Sequence, residues 1–265
     1  MSDCKPAIIQ YWHREKPPEQ IVELMATFRA RNPGMRHLVF DESGAAGFIE
    51  ERYGARHAAV FRSCAVPAMQ ADFFRFCAVH ALGGIYADAN FACRRDLRPL
   101  LEPVGQLFAR PPLGPVLNGV FAFRSPEHPL LGICIEVATR NIELRISEVI
   151  GLIGGTAILT GLTHLHRGGR LEDLRELPRP RWRAEFDACL DQLNESVRGA
   201  IDEHGPLEKA FAGVRISERS EMLTFVKKPK LRFENPDGHW AHWQGAAFRE
   251  PGEARRYEQR RLARD

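Results

Sequence analysis

The amino-acid sequence predicts an α/β fold, with a Rossmann-like mixed sheet flanked by helices. Two short apolar runs, residues 7–13 and 37–40, alternate with helical patterns, and such alternation is typical of α/β domains. A second unit of helix followed by strand occupies residues 67–90. The chain has 265 residues, of which 44% are hydrophobic, so it can bury a sizeable core in one large domain or two small ones.

The first predicted strand is the apolar run from Ala7 to His13, which ends in polar and aromatic residues. Ligands of open α/β sheets bind at the carboxyl ends of strands. Tyr11 and Trp12 are therefore placed where a nucleotide base could stack on them. A pair of aromatic side chains in the core explains the same two residues equally well, and the residues alone leave both interpretations open.

The next elements are bounded by residues that begin and end helices. Pro17-Pro18 begins a helix that we expect to run to about residue 30, since proline suits a first helical turn. Asn32-Pro33-Gly34 is a turn signal before the second strand. Asp41-Glu42-Ser43 then caps a helix over residues 45–53.

A third helix is predicted from Pro67 to Leu82, a stretch with no proline or glycine after its first residue. Asp72 and Arg75 are three residues apart, so they are neighbours on the helix surface. Gly83 suits the C-terminal cap. The Asp-Arg pair can act on a ligand, or it can be a solvated ion pair worth a few tenths of a kcal/mol.

A double glycine, a short apolar strand and two oxygen-bearing side chains follow this helix, in the run Gly83-Gly84-Ile85-Tyr86-Ala87-Asp88-Ala89-Asn90. On an extended backbone, Asp88 and Asn90 point to the same side. A carboxylate and an amide oxygen are hard ligands that suit Mg²⁺ or Mn²⁺ rather than zinc, and nucleotide phosphates could complete the coordination. The alternative is that both residues are ordinary turn formers after a buried strand.

The joined pattern resembles the sugar-binding region of DxD-containing glycosyltransferases, in particular glycosyltransferase family 32. The resemblance is carried by Asp72-x-x-Arg75 on the helix and by Gly83-Gly84-Ile85-Tyr86-x-Asp88-x-Asn90 after it. A lone DxD is weak evidence, whereas the whole run in series is specific. One departure is that Asn90 stands where the family has the second aspartate.

The resemblance implies a GT-A fold and a reaction that moves a hexose from a nucleoside diphosphate to a hydroxyl acceptor, with retention at the sugar carbon. The expected cofactor is Mn²⁺ or Mg²⁺, the donor a UDP- or GDP-hexose, and the acceptor a glycan or a lipid-linked hydroxyl, as in polysaccharide biosynthesis. A rival interpretation is a non-catalytic protein that binds a nucleotide sugar or glycan and carries a degenerate DxD motif.

The resemblance also assigns roles to residues. Asp72, Arg75 and Asp88 are expected to be catalytic. Asp88, Asn90 and His242 are expected to bind the metal. The expected contacts of the nucleotide sugar are Tyr11, Trp12, Asp72, Arg75, Gly84, Tyr86, Asp88 and Asn118.

Further strands are predicted at residues 106–109 and 116–123, followed by an amphipathic helix from Leu130 to Leu144. Asn118 lies in the second of these strands and is either a sugar or acceptor contact or a plain turn asparagine. Gly155-Thr156 begins a later helix after a glycine-rich loop, and the N-terminus of such a helix can hold an anion.

The last part of the chain is predicted in less detail. Residues 171–213 are charged and mostly helical in pattern, and they form either an acceptor-side insertion or a structural outer layer. Short strands are expected at 221–225 and 230–233. His242 is expected to close over the donor site; His239 is the alternative, and an aromatic cap over the core is the structural interpretation.

We expect one glycosyltransferase domain over residues 1–265. Within it, residues 7–130 form the nucleotide-sugar-binding core and residues 131–235 a mostly helical acceptor-side region. Residues 236–265 form a C-terminal lid and a basic tail.

Composition excludes several other classes of protein. The formal net charge of +3 does not indicate a nucleic-acid-binding protein. Six scattered cysteines without a C-x-x-C pair argue against a zinc site and a disulfide framework, which favours the reducing cytoplasm. No signal peptide or membrane span is visible, so contact with the inner face of a membrane would be peripheral.

Overall fold

The structure is a computed structural model that describes residues 6–109, 115–147, 150–176, 180–217, 222–225 and 248. Its strands are β1 (Ala7–Tyr11), β2 (Arg36–Phe40), β3 (Gly84–Ala87), β4 (Phe91–Cys93), β5 (Gly105–Ala109), β6 (Val116–Phe123), β7 (Val214–Ser217) and β8 (Leu223–Phe225). Its α-helices are α1 (Glu19–Arg31), α2 (Glu42–Tyr53), α3 (Ala55–Ser63), α4 (Pro67–Leu82), α5 (Pro129–Glu143), α6 (Ile150–Ile153), α7 (Gly155–His166), α8 (Pro180–His204) and α9 (Leu207–Ala210). Short 3₁₀ helices lie at Arg98–Leu101 and Leu171–Glu176.

Six strands form one mixed sheet in the order β2-β1-β3-β6-β5-β7. The pairs β1–β2, β1–β3 and β5–β7 are parallel, whereas β3–β6 and β5–β6 are antiparallel. Strands β4 and β8 form a separate antiparallel pair. The predicted fold class, an α/β fold with a mixed sheet flanked by helices and a helical region, is confirmed.

Strand β1 lies inside the sheet, between β2 and β3. All five of its residues are buried, which suits a parallel strand covered on both faces. Gly84 at the start of β3 has φ +100°, and a Cβ there would lie 2.3 Å from the carbonyl oxygen of Ala7. The glycine is therefore needed for the close approach of β3 to β1.

Helix α4 has the bounds that the sequence predicts. Pro67 occupies the first turn, and Gly83 caps the C-terminus with φ 63° while its N–H donates to Val79 O. The expectation of one apolar face was too narrow, because nearly every residue from Met69 to Val79 is buried. The sheet, α2, α3 and α5 surround this helix, so Arg75 has no solvent on its side of the helix.

Helix α5 was predicted as amphipathic over residues 130–144, and the structure corrects this. It runs from Pro129 to Glu143 and is buried along most of its length, including Glu136. Helices α3, α4, α7 and α8 pack around it. The polar residues that suggested an exposed face, such as Thr139, point into these helix contacts.

The helical pattern predicted for residues 171–213 is confirmed, since α8 and α9 lie in this range. Helix α3 and strand β7 were not predicted. Within the described residues, none of the helices combines the length and apolar character that crossing a membrane requires. The division at residues 130 and 235 stays a prediction.

The segment after β3 is tied to helix α1 by buried polar contacts. Asn32 ends α1, and its Nδ2 donates to Phe28 O at 2.9 Å while its Oδ1 accepts from Leu97 N at 2.7 Å. The N–H of Cys93 donates to Thr27 Oγ1 at 2.8 Å. These bonds hold Cys93 and Leu97, in the segment that follows Asp88, against α1.

Candidate active site

Polar side chains from α4, β6 and the residue after β3 converge beside the carboxyl end of β3. Asp72 and Arg75 come from the middle of α4, Asp88 follows β3, and Asn118 lies on β6. The backbone of Gly155 at the start of α7 completes the group. The position beyond a strand's carboxyl end is where ligands bind in open α/β sheets.

The guanidinium of Arg75 joins two carboxylates. Its Nη2 lies 2.9 Å from Asp72 Oδ1 and 3.1 Å from Asp88 Oδ1. The residue is only 3% exposed. The alternative of a solvated helix ion pair is therefore wrong, because this pair is buried and extends to a third residue.

The remaining donors of Arg75 are also engaged. Nη1 donates to the carbonyl oxygen of Asn118 at 2.6 Å, and Nε donates to that of Ala71 at 2.9 Å. The guanidinium carbon lies 4.8 Å from the centre of the Tyr86 ring, in a cation–π contact. Arg75 is thereby fixed in one orientation from which it can act on both carboxylates.

The Asp72 carboxylate is held by neutral donors as well. Oδ1 accepts from Asn118 Nδ2 at 2.7 Å, and Oδ2 accepts from the N–H of Gly155 at 3.2 Å. Burial raises the pKa of Asp72, an effect that the nearby Arg75 opposes. The sequence predicted an anion at the N-terminus of α7, and the anion that lies there is the chain's own Asp72.

Asp88 is positioned by its backbone and by a glycine. Its N–H donates to Gly119 O at 2.8 Å. A Cβ at Gly119 would lie 2.6 Å from Asp88 Oδ2, so the carboxylate occupies space that only glycine leaves. Burial raises the pKa of Asp88, with Arg75 again opposing the effect. The buried Tyr86 hydroxyl lies beside this carboxylate and interacts with it, which also opposes the rise in the pKa of Asp88.

The extended backbone predicted from Asp88 to Asn90 is wrong. Strand β3 ends at Ala87, and the N–H of Phe91 donates to Asp88 O at 3.0 Å, which closes a four-residue turn. The turn-former alternative is the one that the structure contains, and it places the polar residues at a bend rather than along a strand.

The residues present are suited to a hard cation. Asn90 Oδ1 is buried and has no hydrogen-bond partner among the described residues, and the Asp88 side chain is 31% exposed. A buried acceptor with no donor costs about 1–3 kcal/mol unless another group satisfies it, and a cation would do so. Among the described residues, no three His, Cys, Asp or Glu side chains are grouped as a metal site. His242 lies outside those residues.

Tyr11 does not lie where a base could stack on it. Its ring packs against Phe74 at 5.5 Å and Phe61 at 6.3 Å, and its hydroxyl donates to Gln70 Oε1 at 2.8 Å. The core interpretation of Tyr11 replaces the nucleotide contact, because the side chain points toward α4 rather than toward the ligand edge.

Trp12 lies near the candidate site, whereas Gly84 lies away from it. Trp12 follows β1 and packs with Ile21, Met25 and Ala89, so it lies against the turn that holds Asp88. Gly84 begins β3, at the opposite end of the strand from Asp88. Its role as a nucleotide-sugar contact is replaced by the packing of β3 on β1.

Sequence reasoning missed two residues of the site, Gly119 and the side chain of Thr156. The signal for Gly119 was present, since an isolated glycine inside a strand often marks a close approach. Thr156 Oγ1 donates to Asn118 Oδ1 at 2.8 Å. No local pattern predicts this contact, because β6 and α7 are separated by α5 and α6 in the chain.

Known proteins are similar to a part of the chain that contains most of this site. Residues 6–106 match the family described as "Glycosyltransferase sugar-binding region containing DXD motif". The matched range contains Asp72, Arg75, Asp88 and Asn90. Residues 6–106 thus resemble the sugar-binding region of that family, and the resemblance seen in the sequence is confirmed.

Two curated relatives are also glycosyltransferases. An uncharacterized glycosyltransferase of Acanthamoeba polyphaga mimivirus is 26% identical over 47% of this chain and 49% of its own. Inositol phosphoceramide mannosyltransferase 1 of Schizosaccharomyces pombe is 27% identical over 49% of this chain and 41% of its own. The matches thus span less than half the length of each relative.

A solved structure, the PaToxG glycosyltransferase, is similar with a TM-score of 0.49 and 15% sequence identity, over 83% of this chain and 89% of that one. The matched region and both curated relatives are described as glycosyltransferases, so the class of protein that this chain resembles is a glycosyltransferase. The predicted enzyme class is confirmed at that level.

Proposed function

We propose that this chain transfers a hexose from a nucleoside diphosphate, UDP or GDP, to a hydroxyl of a glycan or lipid-linked acceptor, with a divalent cation at the site. The observation that carries the proposal is the buried guanidinium of Arg75, bound to both Asp72 and Asp88. Strongly perturbed charged groups at a strand end are typical of functional sites.

Asp72 would accept hydrogen bonds from hydroxyls of the donor hexose. Its side chain is 16% exposed, and three donors, Arg75, Asn118 and Gly155, fix its direction. A carboxylate held in place before the donor arrives loses little freedom on binding, so the sugar is oriented at low entropic cost.

Asp88 and Asn90 would hold the cation, either Mg²⁺ or Mn²⁺, through one carboxylate and one amide oxygen. When bound, the cation supplies positive charge against the leaving diphosphate. Arg75 lies on the same carboxylate as the cation would, so it balances the negative charge of the site while the donor is absent.

The sugar would be transferred with retention, as the sequence resemblance implies. The bond between the anomeric carbon and the diphosphate oxygen breaks, the acceptor oxygen forms the new bond on the same face, and its proton leaves with the departing diphosphate or water. The structure supports the orienting part of this scheme, through the fixed Asp72 and Arg75.

The remaining expectations belong to the same proposal. Trp12 beside the Asp88 turn is the aromatic surface for the base, and His242 stays the proposed late ligand. Residues 7–130, 131–235 and 236–265 stay the proposed core, acceptor side and lid. Among the described residues, Cys64, Cys77, Cys93, Cys134 and Cys189 are buried and form no disulfide, which supports the proposed reducing cytoplasm.

The test combines binding and turnover. Thermal shift is measured with UDP, GDP, UDP-glucose, UDP-galactose and GDP-mannose, with and without Mn²⁺. Saturation at a hundred times Kd stabilises a fold by about 2.7 kcal/mol. Release of UDP or GDP is then followed for the wild type and for Asp88→Asn. Asp96→Asn is the matched control, because Asp96 pairs with exposed Arg98 outside the site.

Three outcomes are distinct. Stabilisation by a nucleotide sugar together with turnover that Asp88→Asn abolishes and Asp96→Asn spares supports the proposal. Stabilisation without turnover on any donor favours the non-catalytic binding protein. No stabilisation by any nucleotide or nucleotide sugar, with Mn²⁺ present, overturns it.

A further inference from the structure

We propose that Thr156 is a positioning residue that fixes the direction of the Asp72 carboxylate through the side-chain amide of Asn118. The inference rests on the proposed function, in which Asp72 receives the donor sugar. It is carried by one chain of contacts: Thr156 Oγ1 to Asn118 Oδ1 at 2.8 Å, and Asn118 Nδ2 to Asp72 Oδ1 at 2.7 Å.

The directions of these hydrogen bonds follow from the chemistry of the groups. An ionised carboxylate only accepts, so the NH₂ group of Asn118 must face Asp72. Its carbonyl oxygen then faces Thr156, and the threonine hydroxyl must be the donor. The amide cannot turn over without placing its oxygen against the Asp72 carboxylate, and the Thr156 hydroxyl is what favours the correct orientation.

Thr156 is itself fixed between α7 and β6. Its carbonyl oxygen accepts from Thr160 Oγ1 at 2.5 Å, and Thr160 Oγ1 accepts from the N–H of Val116 at 3.0 Å. A Cβ at Gly155 would lie 2.5 Å from Asn118 Nδ2, so the preceding residue must be glycine for the amide to fit. Sequence and geometry thus place the start of α7 directly on Asn118.

Loss of the Thr156 hydroxyl would leave Asn118 Oδ1 without its donor. The amide would then rotate more freely, and Asp72 would lose a fixed partner. Because Asp72 is proposed to contact the hexose, the variant should lose affinity for the sugar part of the donor and not for the nucleotide part. In the Thr156→Val variant we expect about tenfold weaker binding of the correct nucleotide sugar, which corresponds to roughly 1.4 kcal/mol, the upper end of the range for one neutral hydrogen bond.

The experiment compares Thr156→Val, Thr156→Ser and a control on the same helix. Thr163→Val is the control, because the Thr163 hydroxyl is buried and has no hydrogen-bond partner in the part of the chain that the structure describes. Calorimetry gives the Kd of UDP and GDP and of UDP-glucose, UDP-galactose and GDP-mannose, in the presence of Mn²⁺. For any donor that turns over, KM and kcat are measured with the same proteins.

We expect Thr156→Val to weaken the nucleotide sugar about tenfold while the free nucleoside diphosphate keeps its Kd. Thr156→Ser should restore the sugar affinity, since serine keeps the hydroxyl, and Thr163→Val should change neither. Equal weakening of sugar-bearing and sugar-free nucleotides, or no rescue by serine, would overturn the positioning role.

A second readout separates this inference from the proposed function. The side-chain NH₂ resonances of Asn118, assigned with Asn118→Ala, report directly on its bond to Asp72 and require no donor. We expect them to exchange faster with solvent in Thr156→Val than in the wild type or Thr156→Ser. Unchanged exchange overturns the inference, even if donors bind. Changed exchange in a protein that binds no nucleotide supports the positioning of Asp72 and overturns only the proposed function.

Discussion

Replacing Arg75 by methionine should destabilise the fold, although Arg75 is proposed as a ligand-binding residue. Methionine fills a similar volume but leaves Asp72 and Asp88 as two neighbouring carboxylates without their shared cation. Removing one partner of a buried ion pair costs about 3–5 kcal/mol. Because the Asp88 side chain is 31% exposed, the lower end of that range applies.

The expected loss can be written as a melting temperature. A change of 1 kcal/mol shifts the Tm of a chain of this length by roughly 2–3 °C, so a loss of about 3 kcal/mol lowers Tm by about 6–9 °C. The control is Arg98→Met, because Arg98 is 71% exposed and pairs with Asp96 on the surface. That variant should keep the Tm of the wild type, because an exposed ion pair contributes little to stability.

The pH dependence of the Tm deficit shows whether charge repulsion or lost packing destabilises Arg75→Met. Burial raises the pKa values of Asp72 and Asp88 in the folded state, and removing Arg75 must raise them further. Between the unfolded and folded pKa values the folded protein binds more protons, so stability falls as pH rises through this window. The Tm deficit of Arg75→Met should therefore be largest near pH 7 and shrink toward pH 5. A deficit that does not change with pH would refute the charge argument and leave only packing.

Two further predictions concern residues around Asp88. Gly119→Ala should weaken Mn²⁺-dependent nucleotide-sugar binding measured by thermal shift, because its Cβ would lie 2.6 Å from Asp88 Oδ2. The control is Gly47→Ala on α2, whose Cβ meets open space and which should stabilise the helix. His37 donates to Gln10, and its pKa is lowered to about 4 by burial and then by Arg29. Its contribution to stability is therefore full above pH 6.5 and lost as pH falls toward 4, so the Tm of the wild type should fall relative to that of His37→Gln across that window. If the Tm values of the two proteins changed with pH in parallel, the proposed contribution of His37 would be wrong.

Local signals in the sequence predict most element bounds. Proline at the start of α4 and glycine at its end give the bounds of the helix, because each acts through its own backbone conformation. The Asp41 cap of α2 is equally local, since its carboxylate accepts from Gly44 N at 2.7 Å. Such features need no knowledge of the rest of the fold.

Burial all round an element is harder to predict, because it depends on how many neighbours cover it. Helix α5 carries Glu136 and Thr139, yet both are buried, because α3, α4, α7 and α8 pack around the helix. Arg75 was placed on a helix surface for the same reason. The number of layers around α4 and α5 is a property of the tertiary fold rather than of either helix.

The site was predicted as a set of residues but not as a set of contacts. Asp72, Arg75 and Asp88 were named from their spacing together with the family resemblance, and the structure brings them within hydrogen-bonding distance. Tyr11 was misplaced because alternation along a strand leaves open which face meets the ligand. The role of Thr156 could not be predicted, since its contact with Asn118 exists only because α7 packs against β6 in the folded protein.

Asn90 in place of the second aspartate follows from the charge of the site. Asp72 and Asp88 already place two carboxylates on the single cation Arg75, and a third carboxylate at the turn would add repulsion that only a bound metal offsets. We therefore expect Asn90→Asp to have a lower Tm than the wild type in chelator, and a larger rise in Tm on adding Mn²⁺ with UDP or GDP. The same variant should need less Mn²⁺ for half-maximal turnover, since an ionised ligand attracts the ion more strongly than an amide oxygen does. Asn194→Asp on α8 makes the same change of charge on another element and should alter neither response. An Mn²⁺ requirement that is identical in wild type and Asn90→Asp would show that the Asp88 turn does not hold the metal.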